Sequence, residues 1–154
     1  TYSGSEITPD FARLARERHP HIDYQTRNIT DKNTIGTSEI YNYVILSGVF
    51  HQPGDVPLRR WAQYMKELLL ASWDLADRGI AFNVLNHHAD FYRPGNYYAD
   101  LNELQIFVSK ELSRFYFLDN LSPLFETTFL VYKPEHIKHH TNPNFQKYLV
   151  NDTL

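Results

Sequence analysis

Glu6 is the acidic residue whose setting says most about chemistry. It lies near the end of a short extended stretch, residues 2–7, and is followed by Thr8 and Pro9, a pair that suits the start of a helix. In doubly wound α/β sheets, an acid at the end of a strand accepts hydrogen bonds from the two hydroxyls of a ribose. Such a charge-assisted bond is worth about 1.5–3 kcal/mol when it is sheltered from water. The position of Glu6 therefore indicates a nucleotide pocket; the alternative is a surface glutamate at a strand end.

A polar loop rich in histidine and tyrosine offers a second set of reactive side chains. It follows a predicted strand, and ligands in open α/β sheets bind beyond the carboxyl ends of the strands. There His87 or His88 can act as a general base, and Tyr97 and Tyr98 can contact a substrate. The alternative is a solvated loop whose tyrosines pack on the body of the domain. The polar and aromatic members of the loop are His87, His88, Asp90, Tyr92, Arg93, Tyr97 and Tyr98.

The remaining histidines predict no metal centre. His136, His139 and His140 have a helical spacing that can bind a divalent ion, but no acid or cysteine in a rigid element accompanies them. His19 and His21 flank a proline. The chain has no cysteine, which excludes disulfides, zinc–thiolate sites and thiol nucleophiles. We expect no bound metal.

Composition and charge favour one domain that acts on a small molecule. The chain has 154 residues, 42% of them hydrophobic, and a formal net charge of −3 without a run of like charges. Nothing indicates a nucleic-acid or membrane partner, and the longest apolar run, YVILSGVF at 43–50, is far shorter than the roughly 20 residues that span a bilayer. No signal peptide opens the chain, so we expect a cytoplasmic bacterial or archaeal enzyme, with its oligomeric state open.

Strand and helix patterns alternate, which predicts an α/β sheet with helices on its faces. A helix is expected over 9–18, with Phe11, Leu14 and Ala15 on its apolar face. The apolar segment 41–51 is typical of a strand buried on both faces and is expected to be central. Further strands are predicted over 2–7, 21–29, 80–86, 114–120 and 126–133.

The longest helix is predicted between Pro57 and Gly79, because apolar residues recur there at helical spacing as far as Ala76. A further helix begins after Asp100, its predicted cap, with Glu103 three residues on. The last two strands have a short link and are expected to pair antiparallel. We predict one domain over residues 1–133 and a tail over 134–154.

Four blocks of this sequence resemble those of the class I S-adenosylmethionine-dependent methyltransferases. In chain order they are YSGSEITPDFARLARERHP, YNYVILSGVFH, RGIAFNVLNHHAD with YYAD shortly after it, and ELSRFYFLDNLSPLFETTFLVYK. They cover most of residues 2–133, and the specificity lies in their order. The resemblance implies a Rossmann-like sheet, mostly parallel with an antiparallel last strand. It also implies S-adenosylmethionine as cofactor and methyl transfer to a small-molecule acceptor.

The resemblance assigns cofactor contacts to the ends of three strands. It makes Glu6 the ribose ligand and places Ile7 beside the adenine. Asn28 and Ile29 occupy the place where the family commonly has an acid that accepts the adenine amino group, and the Asn28 oxygen can still accept. The methionine part of the cofactor and the substrate would be bordered by Ser47, Gly48, Val49 and Phe50. Methyl transfer depends mainly on positioning, so no residue is singled out as the catalytic one.

The family's first strand and the glycine-rich loop after it have no counterpart in these residues. The missing strand would lie between the strand that ends in Glu6 and the strand at 41–51. We therefore expect an N-terminally truncated methyltransferase domain that is itself inactive and binds the cofactor weakly or not at all. Two alternatives stay open. One is a nicotinamide-dependent oxidoreductase, since an acid at this place also serves NAD; the other is a non-catalytic binding domain that kept the fold.

Overall fold

The smaller of two sheets is built from the first strands of the chain. The computed structural model describes residues 1–36 and 38–137. Strands β1 (Ser3–Glu6) and β2 (Asp23–Thr26) pair in parallel and are joined by helix α1 (Pro9–Arg18). Helix α1 has the predicted bounds, with Pro9 in its first turn and Asp10 near its positive end.

The larger sheet has the strand order β3-β4-β7-β6, with a short β5 added beside β4. β3 and β5 run parallel to β4, whereas β7 runs antiparallel to both β4 and β6. This confirms the α/β class and the antiparallel last strand. The strands are β3 (Tyr41–Leu46), β4 (Ala76–Asn86), β5 (Tyr98–Ala99), β6 (Tyr116–Asp119) and β7 (Glu126–Tyr132).

Two helices cover one face of the larger sheet and form the core with it. They are α2 (Leu58–Asp74) and α3 (Leu101–Phe107), which continues as a π-helical turn over Val108–Leu112. Phe82 of β4 and Phe129 of β7 stack with their ring centroids 4.8 Å apart, and both are buried. Leu69 of α2 and Leu104 of α3 belong to the same buried cluster. Burial of each such side chain stabilises the fold by about 1.5–3 kcal/mol.

The opposite face of the larger sheet is exposed on the edge strands β3 and β6 and half-buried along β4 and β7, and we call it the open face. Strand register places Ile45, Ala81, Leu130 and Phe117 in one row across β3, β4, β7 and β6. Ile45 is 66% exposed and Phe117 is 59% exposed. The open face is thus an apolar surface in contact with water.

The prediction that the strand at 41–51 is central and buried on both faces is wrong. Within the described part of the chain β3 pairs with β4 alone, and Tyr43 and Ile45 point to water. The apolar run reflects one side packed on the core through Leu46 and another side on the open face. The central strand is β4, which pairs with β3, β5 and β7.

Two helix predictions also need correction. Phe11 and Leu14 of α1 are mainly exposed, and Ala12 is the residue buried on this helix. Helix α2 ends at Asp74, and Ala76 already belongs to β4. The helical pattern fails there because the backbone of this segment pairs with Tyr41 at one edge and, at Gly79, with Tyr132 at the other.

Arg27, directly after β2, ties the smaller sheet to the segment that precedes β3. Its Nε donates to Ser5 Oγ at 3.0 Å, and its Nη1 donates to Glu39 Oε2 at 2.7 Å. The Arg27 side chain is 6% exposed and that of Glu39 is 18% exposed. The hydrogen bonds from Arg27 are the main cause that lowers the pKa of Glu39 to about 2, with Tyr41 as a further donor.

Among residues 1–36 and 38–137, no helix is both long and apolar enough to cross a membrane. A short 3₁₀ turn, Pro134–His136, follows β7, and His136 Nε2 lies 3.4 Å from Asp77 Oδ1. His139 and His140, like most of the predicted tail, lie outside the described residues.

Candidate functional site

Glu6 ends β1 and is half-buried there. Its Oε1 accepts a hydrogen bond from the backbone N–H of Thr8 at 2.8 Å, which fixes the carboxylate at the start of α1. Oε2 has no hydrogen-bond partner among the described residues, so one oxygen is left for a ligand. The neighbouring Ile7 is 56% exposed. Both side chains are therefore accessible at the end of β1.

Asn28 and Ile29 follow β2 and are partly buried. Asn28 Oδ1 accepts from the Thr30 N–H at 3.1 Å and from Thr30 Oγ1 at 2.9 Å. These two bonds occupy both lone pairs of the oxygen, so the amide N–H₂ is the part of Asn28 left for a ligand. Ile29 packs against the core of the larger sheet.

The segment after β3 is held at several points of its backbone. The Gly48 N–H donates to Asn83 Oδ1 at 2.7 Å, and the Phe50 carbonyl accepts from Trp61 Nε1 at 3.0 Å. Phe50 is fully buried, whereas Ser47 and Val49 are exposed. Gly48 has φ of +71°, and no atom lies within 4 Å of the place where a Cβ would be. The segment thus presents an open backbone surface on a fixed base.

Helix α2 is linked both to Glu6 and to Phe50. Burial raises the pKa of Tyr64, and the negative charges of Glu6 and Glu67 raise it further, which is an electrostatic link between α2 and the end of β1. The Tyr64 ring lies 5.5 Å from that of Trp61, which binds the Phe50 carbonyl. The first half of α2 therefore connects two of the three groups of residues predicted to bind a cofactor.

A depression of about 130 Å³ lies on the open face beside this segment. A larger, shallow groove of about 380 Å³ lies elsewhere, along α2 and α3, and no predicted site residue lines it. The smaller depression is the better candidate for a ligand site because Ser47 and Asn83 line it. Its lining residues are Ile45, Leu46, Ser47, Ala81, Phe82, Asn83 and Thr128.

The polar loop after β4 is well structured by its own side chains. His87 Nδ1 lies 3.0 Å from the Ala99 carbonyl oxygen, which orients the ring. The Tyr98 hydroxyl accepts from the Arg93 N–H at 2.9 Å, and Tyr97 packs against the core. His88 is exposed and lies against His87, with ring centroids 4.0 Å apart and ring planes tilted by 41°. Of the four predicted substrate contacts, His88 is the most accessible.

Three residues that the sequence analysis did not single out meet beside Gly48. Asn83 Nδ2 donates to Glu126 Oε2 at 2.7 Å, and Glu126 Oε1 lies 3.9 Å from His51 Nδ1. The His51 carbonyl accepts from the Tyr97 N–H at 2.8 Å, which connects the polar loop to this cluster. We call His51, Asn83 and Glu126 the His51 cluster.

A signal for the His51 cluster is present in the sequence. Asn83 interrupts the apolar strand IAFNVLN, and Glu126 opens the apolar strand ETTFLVYK. A polar residue inside a strand of this kind needs a partner when it is buried, since an unpaired polar group is costly. What the sequence does not give is that the two strands are neighbours.

Several solved structures that share this fold are methyltransferases. The chain is similar to the magnesium protoporphyrin IX methyltransferase ChlM from Synechocystis PCC 6803 with bound SAH (S-adenosylhomocysteine). The TM-score is 0.62 at 12% identity, covering 85% of this chain and 63% of that one. It is also similar to the N-methyltransferase NodS from Bradyrhizobium japonicum WM9 in complex with SAH. There the TM-score is 0.59 at 13% identity, covering 86% and 66%.

A third structure, an O-methyltransferase family protein from Burkholderia thailandensis, has a TM-score of 0.56 at 12% identity and covers 84% of this chain and 42% of its own. The chain therefore spans less than two thirds of the length of these proteins. No family model and no curated protein matches it. The likeness to class I S-adenosylmethionine-dependent methyltransferases is confirmed at the level of the fold.

Proposed function

We propose that this chain belongs to an S-adenosylmethionine-dependent methyltransferase that acts on a small-molecule acceptor. The observation that carries the proposal is Glu6: it ends β1 with one free carboxylate oxygen, in a fold shared with methyltransferases whose structures hold SAH. The antiparallel β7 between β4 and β6 favours this function over an NAD-dependent oxidoreductase. The proposed enzyme would act in the cytoplasm of a bacterial or archaeal cell.

The residues present fit such a cofactor. Glu6 can accept the ribose hydroxyls through Oε2, and Gly48 leaves free the space that any other side chain would fill. Ser47 and Val49 are exposed on either side of Gly48. When bound, S-adenosylmethionine supplies a methyl group on a positively charged sulfur. Charge-assisted bonds to Glu6 would hold the ribose, and the fixed Gly48 backbone would set the distance to the acceptor.

The acceptor would bind between the segment after β3 and the polar loop. The Tyr97 N–H donates to the His51 carbonyl, which anchors the polar loop to the segment after β3, and His88 of the same loop is exposed. The tyrosine rings can pack on an apolar acceptor and the histidine can bind its polar group. We propose His87, His88, Tyr97 and Tyr98 as acceptor contacts.

Titration calorimetry with SAH tests the proposal. We expect the full-length product of the gene that contains this sequence to bind SAH with a micromolar Kd, and Glu6→Gln to weaken binding about tenfold or more. The glutamine keeps an oxygen for the Thr8 N–H, so the start of α1 is preserved. Glu17→Gln, which alters an exposed partner of Arg13, is the matched control.

Two results would contradict this function. Absence of SAH binding by the full-length product would exclude the methyltransferase, and binding of NAD in its place would favour the oxidoreductase. If SAH binds and its Kd is unchanged in Glu6→Gln, the protein binds the cofactor but Glu6 does not contact it. Binding without methyl transfer to any acceptor would favour the non-catalytic binding domain.

A further inference from the structure

His51 has a buried ring nitrogen with no partner among the described residues. Its Nε2 is covered and forms no hydrogen bond, although 18% of the side-chain surface is exposed. A buried polar atom left unpaired costs about 1–3 kcal/mol, and such atoms in native proteins call for an explanation. A group that comes from outside the chain would remove this cost.

The other edge of the His51 ring faces a carboxylate that is held in place. Glu126 is 19% exposed, and its Oε1 lies 3.9 Å from His51 Nδ1. Asn83 Nδ2 fixes the second carboxylate oxygen at 2.7 Å, and Asn83 in turn binds the Gly48 N–H. The carboxylate therefore has a defined orientation relative to both the imidazole and Gly48. A negative charge in this position stabilises a proton taken up by the ring.

The His51 cluster lies where the proposed methyl transfer would occur. His51 follows Phe50 directly, and Gly48 is hydrogen-bonded to the cluster itself. The cluster also touches the depression on the open face, since Asn83 lines it. Catalytic hydrogen bonds are often long before a substrate binds, which is consistent with the distance of 3.9 Å between His51 and Glu126.

We propose that His51 Nε2 removes the proton from the acceptor. The Glu126 carboxylate orients the ring and stabilises its protonated form. This role of His51 rests on the proposed methyltransferase function. The X–H bond of the acceptor breaks, its proton joins Nε2, and the electron pair left on X forms the bond to the methyl carbon. The sulfur–carbon bond of the sulfonium donor breaks, and its pair returns to sulfur. The protonated imidazole is balanced by the Glu126 carboxylate.

This mechanism narrows the class of acceptor. A hydroxyl, a phenol or a protonated amine must lose a proton to become a product, whereas a thioether or a tertiary amine need not. His51 is therefore useful only for acceptors of the first class. Nε2 itself is buried, so a small rotation of the partly exposed ring must open it to such a group while Nδ1 stays near Glu126.

A coloured phenol tests the proton transfer without depending on turnover. 4-Nitrophenol absorbs visible light only as the phenolate, so its absorbance in mildly acidic buffer reports loss of the proton. With the full-length product saturated with SAH, we expect the phenolate signal to rise. His51→Gln should lower that rise about tenfold or more, and Glu126→Gln should lower it too. His21→Gln, at an exposed histidine of the smaller sheet region, should leave it unchanged.

Folding and cofactor binding are measured on the same variants. Glutamine at 51 is close to histidine in size, and glutamine at 126 still offers an oxygen to Asn83, so both should melt within a few degrees of the wild type. Methyl transfer from labelled S-adenosylmethionine to a phenol or amine should fall about 100-fold in His51→Gln while the Kd for SAH is unchanged.

The outcomes separate the two proposals. If SAH does not bind, the methyltransferase function fails. If SAH binds but 4-nitrophenol gives no phenolate signal, or the signal survives in His51→Gln, the role of His51 fails alone. Methylation of thioethers only, or an unchanged rate in His51→Gln, would also overturn the role of His51.

Discussion

Glu39 is the acid whose charge depends most clearly on one neighbour. Arg27 hydrogen bonds hold its pKa at about 2, below the ordinary 4.5. Because the pKa is lower in the folded state, the pair stabilises the fold above pH 4.5, and this stability is lost as the pH falls from about 4.5 towards about 2. After allowance for solvent screening, the contribution at neutral pH is about 1–2 kcal/mol.

Glu39→Gln should remove this part of the pH dependence. The variant keeps the size of the side chain and loses its charge, so it should be about 1–2 kcal/mol less stable than the wild type at pH 7, and this difference should shrink to about half or less near pH 3. Urea unfolding at the two pH values measures both differences. Glu17→Gln at the exposed Arg13 pair serves as control and should follow the wild type at each pH. A constant gap between Glu39→Gln and wild type would contradict the linkage.

The hydrogen bonds of a single residue could be predicted from the sequence where its partners are close to it in the chain. Asp100 accepts from the N–H groups of Asn102 and Glu103 at 2.8 and 3.1 Å, as its spacing predicts. His51 and Glu126 are distant in the chain and meet only because β3, β4 and β7 are neighbours. Local hydrogen bonding follows from spacing, whereas a site formed across strands requires the strand order.

At the scale of the elements, the glycine in β4 is a condition for the sheet. A Cβ at Gly79 would lie 2.2 Å from the backbone oxygen of Val131 in β7. A backbone oxygen in a paired strand has little freedom to move, so Gly79→Ala should destabilise the chain by about 2–3 kcal/mol. Denaturant unfolding measures the loss.

Gly4→Ala is the matched control for this prediction. A Cβ at Gly4 would lie 2.4 Å from the Tyr24 ring, which is a side chain and can rotate away. We expect a smaller loss of stability for Gly4→Ala than for Gly79→Ala. Equal losses of stability would show that the backbone contact between β4 and β7 is not the reason that residue 79 must be a glycine.

Element bounds followed local signals where these were strong and failed where pairing overrode them. Thr8 and Pro9 set the start of α1, and the pattern ended it correctly at Arg18. The end of α2 was placed too late because the helical pattern of apolar residues continues through Ala76. Hydrogen bonds to neighbouring strands, which no pattern within the segment reveals, make that residue part of β4 instead.

At the scale of the whole molecule, the open face is an apolar area that runs across four strands of the larger sheet. It includes Ile45 and Phe117, both more than half exposed, in one apolar row. Apolar patches of this kind bind hydrophobic dyes and promote association. We expect the chain to enhance the fluorescence of 8-anilinonaphthalene-1-sulfonate, and Ile45→Thr with Phe117→Thr to reduce that enhancement by about half or more.

The control for the open face is a substitution on the covered face. Ile80→Thr places a hydroxyl in the core formed with α2 and α3, so it should lower stability and increase dye binding. The double variant should keep its stability because threonine suits exposed strands. Dye binding that does not respond to the double variant would mean that another surface binds the dye.

The larger sheet depends on one strand, and this sets the order in which parts of the molecule open. β4 is paired along both edges, so its amide hydrogens become exposed only when the whole larger sheet comes apart. The smaller sheet has just two strands and is tied to the segment before β3 through Arg27. Amide exchange should therefore divide the chain into two cooperative units, with β1 and β2 exchanging early and β4 reporting the global unfolding free energy.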